Sequence, residues 1–446
     1  MMTDIPSSAK LFRMVYLSKF RNYFLSTSST ESAIVKNMGK LVTGDGVSRV
    51  IGIATMPIIT RIYLPEHLGV LSVFVAIVAI IAPIATFRYS LAIPLPKSDG
   101  MAMNIAVAAI GVLLFTSVIV SFVFLLFGEQ ILTVFSMEQL IPYWYLVPIA
   151  MIGTGMYEVL SNWAVREKAF SPLAKTKVWQ KTIGAITKIG LGLVGLKPLG
   201  LLIGHIFTQA GGILTLLKEF RSTIVGKMKS VTKGRVKLSA IRYVDFPKYR
   251  MPSQVLLILS SKLVLFYFAW QFGADIAGLI GLALIVVMIP VTLLGYTTGK
   301  AYYAEIAIIG KEKPDEILSV TKGIVKKLVL VSILPFAILF ILGPWIFELV
   351  FGNEWTQAGK FASILSIYLL AQFVYSPVSE GAFNVFEKQA FVLGIEFGRL
   401  ALIIVAFTVS YMINWDPVET LILYSILIFI HYTIATYIVF NVVIRR

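Results

Sequence analysis

Apolar runs of about twenty residues recur along this chain from Val42 to Val443, with no long polar domain between them. That pattern constrains the fold more than any other feature. A single aqueous core cannot take up so much apolar surface. The 446 residues are 58% hydrophobic and 14% charged, whereas a soluble globular chain carries about 45–50% and about 25%. In hydrocarbon the backbone must satisfy its own N–H and C=O groups, and a helix does so within one segment. The expectation is an all-α membrane protein with about twelve transmembrane helices. The spans predicted are 39–62, 67–87, 102–127, 142–164, 173–196, 199–219, 253–272, 276–296, 324–350, 359–383, 389–412 and 418–440. Turn chemistry marks the breaks, at Leu64-Pro65-Glu66, Pro94-Leu95-Pro96, Lys197-Pro198, Gly273-Ala274-Asp275 and Asn414-Trp415-Asp416-Pro417.

The net charge of +16 would suggest nucleic acid in a soluble protein. Here the placement of the charges matters more. With the N-terminus in the cytoplasm, the cytoplasmic segments hold 32 of the 39 Lys and Arg residues. The outer loops hold only Arg61, Lys197 and Lys360. That asymmetry is the positive-inside pattern, and it predicts cytoplasmic N- and C-termini. The basic loop 218–250 is read the same way, as topology plus attraction to anionic headgroups, and no nucleic-acid partner is expected. Trp144, Trp270, Trp345, Trp355 and Trp415 are expected near outer span ends, and Trp163 and Trp179 near inner ends. Residues 1–38 mix cations with Leu11, Phe12, Val15, Phe20 and Phe24. They read either as an amphipathic arm on an anionic membrane surface or as a disordered tail. No cleavable signal peptide is evident.

The chain also repeats itself. Tyr63-Leu-Pro-Glu-His-Leu-Gly69 joins spans 1 and 2, and Phe272-Gly-Ala-Asp-Ile-Ala-Gly278 joins spans 7 and 8. Each has an aromatic, an acid three residues on, then a glycine. Pro83 is matched by Pro290, Glu167-Lys-Ala-Phe170 by Glu387-Lys-Gln-Ala-Phe391, and Phe127-Gly128 by Phe351-Gly352. The matches occur in the same order at equivalent junctions. The organisation expected is a cytoplasmic arm (1–38), a six-helix bundle (39–219), a basic cytoplasmic linker (220–252) and a second six-helix bundle (253–446). Parallel repeats of this kind place a substrate site between the halves.

Four cations lie inside spans: Arg49, Lys188, Lys262 and Arg399. Each costs roughly 2.5–3.5 kcal/mol on insertion scales unless it meets water or a partner. Arg49 has Asp45 one turn away and Arg399 has Glu396 three residues away, so local ion pairs are an alternative there. Lys188 and Lys262 have no acid within a turn. Lys177, Lys181 and Lys188 share one helix face. The four cations fall on the first and fifth span of each half, which predicts a basic-lined central cavity for a polyanionic substrate. Asp45, Glu158, Glu380 and Glu396 are candidate coupling-ion or proton sites, with Glu305 nearby; helix-end solvation is the simpler account of these acids.

Other signals carry less. Gly190-x-Gly192-x-x-Gly195 has the letters of a dinucleotide fingerprint but no preceding strand. Close helix packing explains it better, as it does Gly200-x-x-x-Gly204. His67, His205 and His431 lack metal-ligand spacing, no Walker loop occurs, and cysteine is absent. No catalytic constellation, metal or cofactor is therefore expected.

Arg61-Ile-Tyr-Leu-Pro-Glu-His-Leu-Gly69, followed by span 2 and Arg88-Tyr-Ser-Leu-Ala-Ile-Pro-Leu-Pro96, resembles the start of bacterial polysaccharide transporters. So does Met251-Pro252 leading into span 7, then Ala277-Gly278 and Pro290. These include the Wzx-type O-antigen flippases, in the superfamily that also holds the multidrug and toxin extruders and the lipid II flippases. The resemblance covers roughly residues 36–440. It implies a V-shaped pair of six-helix bundles in the bacterial inner membrane. It implies flipping of undecaprenyl-pyrophosphate-linked oligosaccharides (O-antigen of lipopolysaccharide, capsule or exopolysaccharide) to the outer leaflet by alternating access. The family's cationic cavity maps by residue type onto Arg49, Lys188, Lys262 and Arg399. The partners implied are the polyprenyl-pyrophosphate-linked oligosaccharide, the lipid bilayer and a polysaccharide polymerase complex. A cation-coupled multidrug exporter of the same superfamily is the alternative; it would want acids and aromatics in its cavity. A membrane glycan polymerase would need a larger outer loop than 128–141, and a scaffold would leave Lys188 and Lys262 without a reason.

Overall fold

The computed structural model describes residues 29–386 and 388–444. The predicted amphipathic arm lies outside them up to residue 28, as does Glu387 of the repeat. Among the described residues the chain is helical, with no strand. The long helices are α1 (Ser29–Ile62), α2 (Pro65–Ala85), α3 (Asp99–Val134), α4 (Leu146–Arg166), α5 (Phe170–Leu193) and α6 (Leu199–Met228), the last interrupted at Gly211-Gly212. A short α7 (Lys233–Arg242) follows. The second half has α8 (Met251–Pro290), α9 (Tyr296–Ile309), α10 (Pro314–Phe351), α11 (Thr356–Val385), α12 (Gln389–Ile413) and α13 (Pro417–Ile444). α8 is two limbs joined at Gly273, whose φ of +86° suits a residue without a Cβ.

Eight of these segments are long and apolar enough to cross a membrane. The bent α8 contributes two crossings, and α1, α4 and α5 have the length but carry more polar residues. The chain is a multi-pass membrane protein. Its surface agrees: Phe115, Val118, Phe122 and Leu125 on α3, and Leu330, Leu334 and Ile341 on α10, are exposed. An apolar surface that wide belongs in lipid. The Val70–Phe74 stretch of α2 and most of α11 are buried instead.

The halves are built alike. In the first, α3 packs on α4, α4 on α6 and α5 on α6; in the second, α10 packs on α11, α11 on α13 and α12 on α13. Between halves, α2 lies along α8. The contact is reciprocal. A Cβ at Gly69 would collide with the Ala274 carbonyl, and one at Gly278 with the Pro65 carbonyl. The last glycine of each junction motif thus touches the third residue of the other. This is the self-complementary geometry of a two-fold contact, made here by one chain. Nearby, the Trp355 indole donates to the Thr60 carbonyl at 3.0 Å. Ile59, Tyr63 and Leu68 share a core with Phe347, Phe351 and Phe361. These contacts gather at the end of the molecule that carries residues 63–65 and Gly273.

Most of the cationic loops lie at the other end. Ser98 caps α3 by accepting from the Met101 N–H. Asp99 then bridges Arg166 (2.9 Å) and Lys227 (2.8 Å). Arg166 also donates to the carbonyls of Ile93 and Pro96. The motif Arg88–Pro96 is therefore a turn whose free carbonyls are closed by a cation. Phe87 and Arg88 hold positive φ there, at 47° and 60°. The Tyr89 hydroxyl donates to the Ala240 carbonyl, and the Asn104 amide to the Ser230 carbonyl, so the basic linker is seated on the first half.

Two expectations change in detail. Trp163 and Trp355 are buried inside the protein rather than at an interface. The loop expected over 128–141 is largely helical, because α3 runs to Val134 and a 3-10 turn begins at Glu138.

The reciprocal glycine contact predicts a specific effect of bulk. The native chain has no cysteine, so Ser72→Cys, beside Gly281, would be a single label. It is expected to resist a membrane-impermeant maleimide in the native background. In Gly278→Leu it should react from the side of residues 63–65. Equal reaction in both backgrounds would show that α2 and α8 do not seal this end.

Candidate functional site

Tyr63 organises the deep part of the site. Its ring fits against Gly192 and Gly200, where a Cβ would meet the phenol. Its hydroxyl donates to the Lys188 backbone carbonyl at 2.7 Å, and Lys197 sits over its ring at 5.9 Å. Burial pushes the Tyr63 phenol up to about 12, so it stays a donor at any physiological pH. Of the Gly190, Gly192 and Gly195 triplet, only Gly192 has a neighbour at packing distance. Gly192 alone serves close packing, against Ile62 and Tyr63; Gly190 and Gly195 face open space, so packing does not explain the triplet as a whole.

α5 and α6 approach closely elsewhere too. A Cβ at Gly184 would meet Thr208 and the Gly204 carbonyl, and one at Gly204 would meet the Lys188 stem. The Lys188 side chain therefore lies along a glycine of the neighbouring helix. A lysine can bury its methylenes in this way while its ammonium seeks polar surroundings. Among the described residues the Lys188 ammonium makes no ion pair, and neither does that of Lys262 on the first limb of α8. Each is within electrostatic reach of His205 of α6, and neither registers the other's charge. This imidazole lies within electrostatic reach of Lys181, Lys188 and Lys262. It is 8% exposed and its Nε2 has no hydrogen-bond partner. Phe74 of α2 meets it edge-on, with ring centres 6.0 Å apart.

The remaining candidates are placed differently. Asp45 holds Arg49 at 2.9 Å and reaches across to Lys177 of α5, also at 2.9 Å. Gly44 permits this by letting α1 close on Ala174. Lys181 is exposed between that pair and Lys188, within reach of Asp45 and Arg49. A cationic stripe thus runs from Arg49 and Lys177 to Lys181, Lys188 and, across the interface, Lys262. Arg399 is set apart on α12. It pairs with Glu396 at 2.6 Å and donates to Ser260 at 2.9 Å and Tyr432 at 3.3 Å. It ties α12 to α8 and α13.

Of the candidate coupling acids, Asp45 and Glu396 are engaged by these cations. Glu158 is paired with Arg88 at 2.8 Å, both side chains largely buried. Glu380 on α11 and Glu305 on α9 are exposed. The sequence rules singled out Arg49, Lys188, Lys262 and Arg399 as candidates. They missed His205, because nothing in a lone histidine within an apolar span marks which neighbours it will meet. The available hint was its place beside Gly204, in the small-residue face that lets α6 approach α5.

Chemically, Lys188 and Lys262 offer two cations that make no ion pair among the described residues. That suits an anion of spread charge held by several weak contacts. It provides no nucleophile and base in contact.

Comparison with known proteins bears on this site. A family described as polysaccharide biosynthesis protein matches residues 58–360. Among curated proteins no sequence matches significantly. Several solved structures share the fold. Lipid II flippase MurJ, in an inward closed conformation, superposes with a TM-score of 0.64 at 14% identity, covering 90% of this chain and 87% of its own. An inward-facing multidrug resistance MATE family transporter of the MOP superfamily gives 0.58 at 14% identity, covering 88% and 92%. The Vibrio cholerae MATE transporter VcmN gives 0.53 at 14% identity, covering 92% and 95%. The family match spans both junction glycines and the lysines at the interface; this chain belongs to the polysaccharide biosynthesis protein family and has the fold of the MOP superfamily transporters.

Proposed function

We propose that this protein is a flippase for a polyprenyl-pyrophosphate-linked oligosaccharide, moving its head from the cytoplasmic to the outer leaflet of the bacterial inner membrane. The observation that carries this reading is the pair Lys188 and Lys262. Two intramembrane ammonium groups, one from each half, lie within electrostatic reach of His205, with no ion-paired acid among the described residues. A diphosphate between them would replace their missing counter-charge, and they would replace its lost hydration.

On this reading the steps are these. The head enters from the basic end, attracted along Lys181 and toward Lys188. The lipid tail remains in the bilayer. The halves rock about the Gly69 and Gly278 contact, which fixes their closest approach, and access passes to the other end. The membrane potential favours outward movement of an anion from a negative interior by roughly 2.3 kcal/mol per charge per 100 mV. The substrate classes this reading covers are O-antigen units of lipopolysaccharide, capsule and exopolysaccharide. A polysaccharide polymerase complex would take the product on the outer face.

The alternative, a cation-coupled multidrug exporter, calls for available carboxylates in the cavity. Asp45, Glu158 and Glu396 are already held by arginine or lysine, which favours the anion reading. On this account Arg49 and Arg399 position helices and adjust the field, while Lys188 and Lys262 touch the head.

Orientation is tested with Gly234→Cys in the linker and Leu64→Cys in the opposite loop, both exposed positions. In intact cells only Leu64→Cys is expected to react with an impermeant maleimide. The reverse result would invert the direction of transport proposed. Function is tested by Lys188→Ala and Lys262→Ala. At unchanged protein level each should slow outward flipping of lipid-linked oligosaccharide by on the order of tenfold, about 1.4 kcal/mol of barrier. Flipping at the native rate in both variants would remove them from the mechanism.

A further inference from the structure

Asp45 stands at the start of the cationic stripe with both carboxylate oxygens engaged. Oδ2 accepts from Arg49 Nε and Oδ1 from Lys177 Nζ, each at 2.9 Å. The two bonds differ in kind. Arg49 is one turn along α1, so that bond closes within a single helix. Lys177 is on α5, and Gly44 brings it into range by letting α1 close on Ala174. All three side chains remain open to solvent, with Asp45 32%, Arg49 36% and Lys177 40% exposed. An ion pair that exposed is held weakly, so a stronger anion can take the lysine from it.

The stripe also holds more positive charge than this acid can cover. Lys181 lies one turn beyond Lys177 on α5, within electrostatic reach of Asp45, Arg49 and Lys177, and it makes no ion pair among the described residues. Lys188 in turn lies within reach of Lys181. Residues four apart on a helix are neighbours on its surface, about 5–6 Å apart at Cβ, so Lys177 and Lys181 can close on one ligand together. A diphosphate carries more oxygens and more charge than a carboxylate, and it can bridge the two ammonium groups. Asp45 takes only one of them.

We propose that Asp45 is the resident counter-ion of Lys177, and that the diphosphate head displaces it on entry and so makes its first contact with Lys177 and Lys181. The inference rests on the flippase reading and adds where the head is first held and how the empty site is kept. Asp45 does not touch the head; it acts through Lys177. In the empty protein it covers the lysine. When the head arrives, Lys177 turns to it, and the tie between α1 and α5 opens at that bond while Arg49 keeps the carboxylate in place. When the head moves on toward Lys188, Asp45 recovers the lysine and the head cannot fall back onto it. Each step exchanges one ion pair for another, so no charge is left without a partner.

The test measures binding of inorganic pyrophosphate, by calorimetry, to the full chain in phosphatidylcholine nanodiscs. Asp45→Asn should tighten binding by roughly fivefold, the weight of an exposed ion pair. Lys177→Gln should weaken it by a similar factor. In the double variant the gain from Asp45→Asn should disappear, because no lysine is left to compete for. Asp45→Glu should bind like the native chain. So should Glu316→Gln, which removes an exposed acid on α10. In a flipping assay Asp45→Asn should lower KM and kcat together, since a head held more tightly leaves more slowly. Weaker or unchanged binding in Asp45→Asn would make the pair purely structural. A gain that persists without Lys177, or an equal gain in Glu316→Gln, would reduce Asp45 to one charge among many. Either result overturns the proposal. The binding cycle needs no transport. The predicted cycle in a chain that flips no lipid-linked oligosaccharide would sink the flippase reading and keep the exchange; flipping by a chain that fails the cycle would do the opposite.

Discussion

A lysine in the middle of a bilayer must find an acid, water or a ligand, because hydrocarbon offers none of the solvation its charge requires. Most of the intramembrane ions here obey the first option. Arg49 and Lys177 share Asp45, Arg88 takes Glu158, and Arg399 takes Glu396. Lys188 and Lys262 do not. Their placement governs how the rest of the structure is understood, since a fold that pairs Arg49, Lys177 and Arg399 with acids leaves these two for something else.

The surrounding architecture fixes that exception in place. Gly192 and Gly200 admit the Tyr63 ring, Tyr63 holds the Lys188 carbonyl, and Gly204 gives the Lys188 stem a bed. On the other side, Ser260, two residues before Lys262 on α8, is anchored by Arg399. Packing of small residues lets helices approach in lipid, where no hydrophobic force brings them together. The same device at Gly69 and Gly278 sets the halves in contact at one end. Close contact at one end and cationic loops at the other give the molecule a polarity, and the proposed alternation of access would need only rocking about that contact.

Much of this was legible in the sequence for physical reasons. Apolar runs and turn residues act locally, so they fixed the helical class and where the helices break. The junction motifs Tyr63–Gly69 and Phe272–Gly278 exposed the repeat, though not that its glycines would touch. The pairing of Asp45 with Arg49 follows from helix spacing; its second bond, to Lys177, joins residues 132 apart in sequence and has no local signal. Trp163 and Trp355 show the same limit from the other side. Their position at span ends suggested the membrane interface, but tertiary packing buried them. His205 was invisible for a related reason: its meaning comes from three lysines on two other helices.

The central claim is that Lys188 and Lys262 face a watery, anion-attracting basin between the halves. Lys188→Cys and Lys262→Cys in this cysteine-free chain report it directly through their reaction rates with small charged thiosulfonates. The account predicts that both react from the linker side, and faster with the anionic reagent than with the cationic one. Silence toward both reagents, or a preference for the cation, would contradict it.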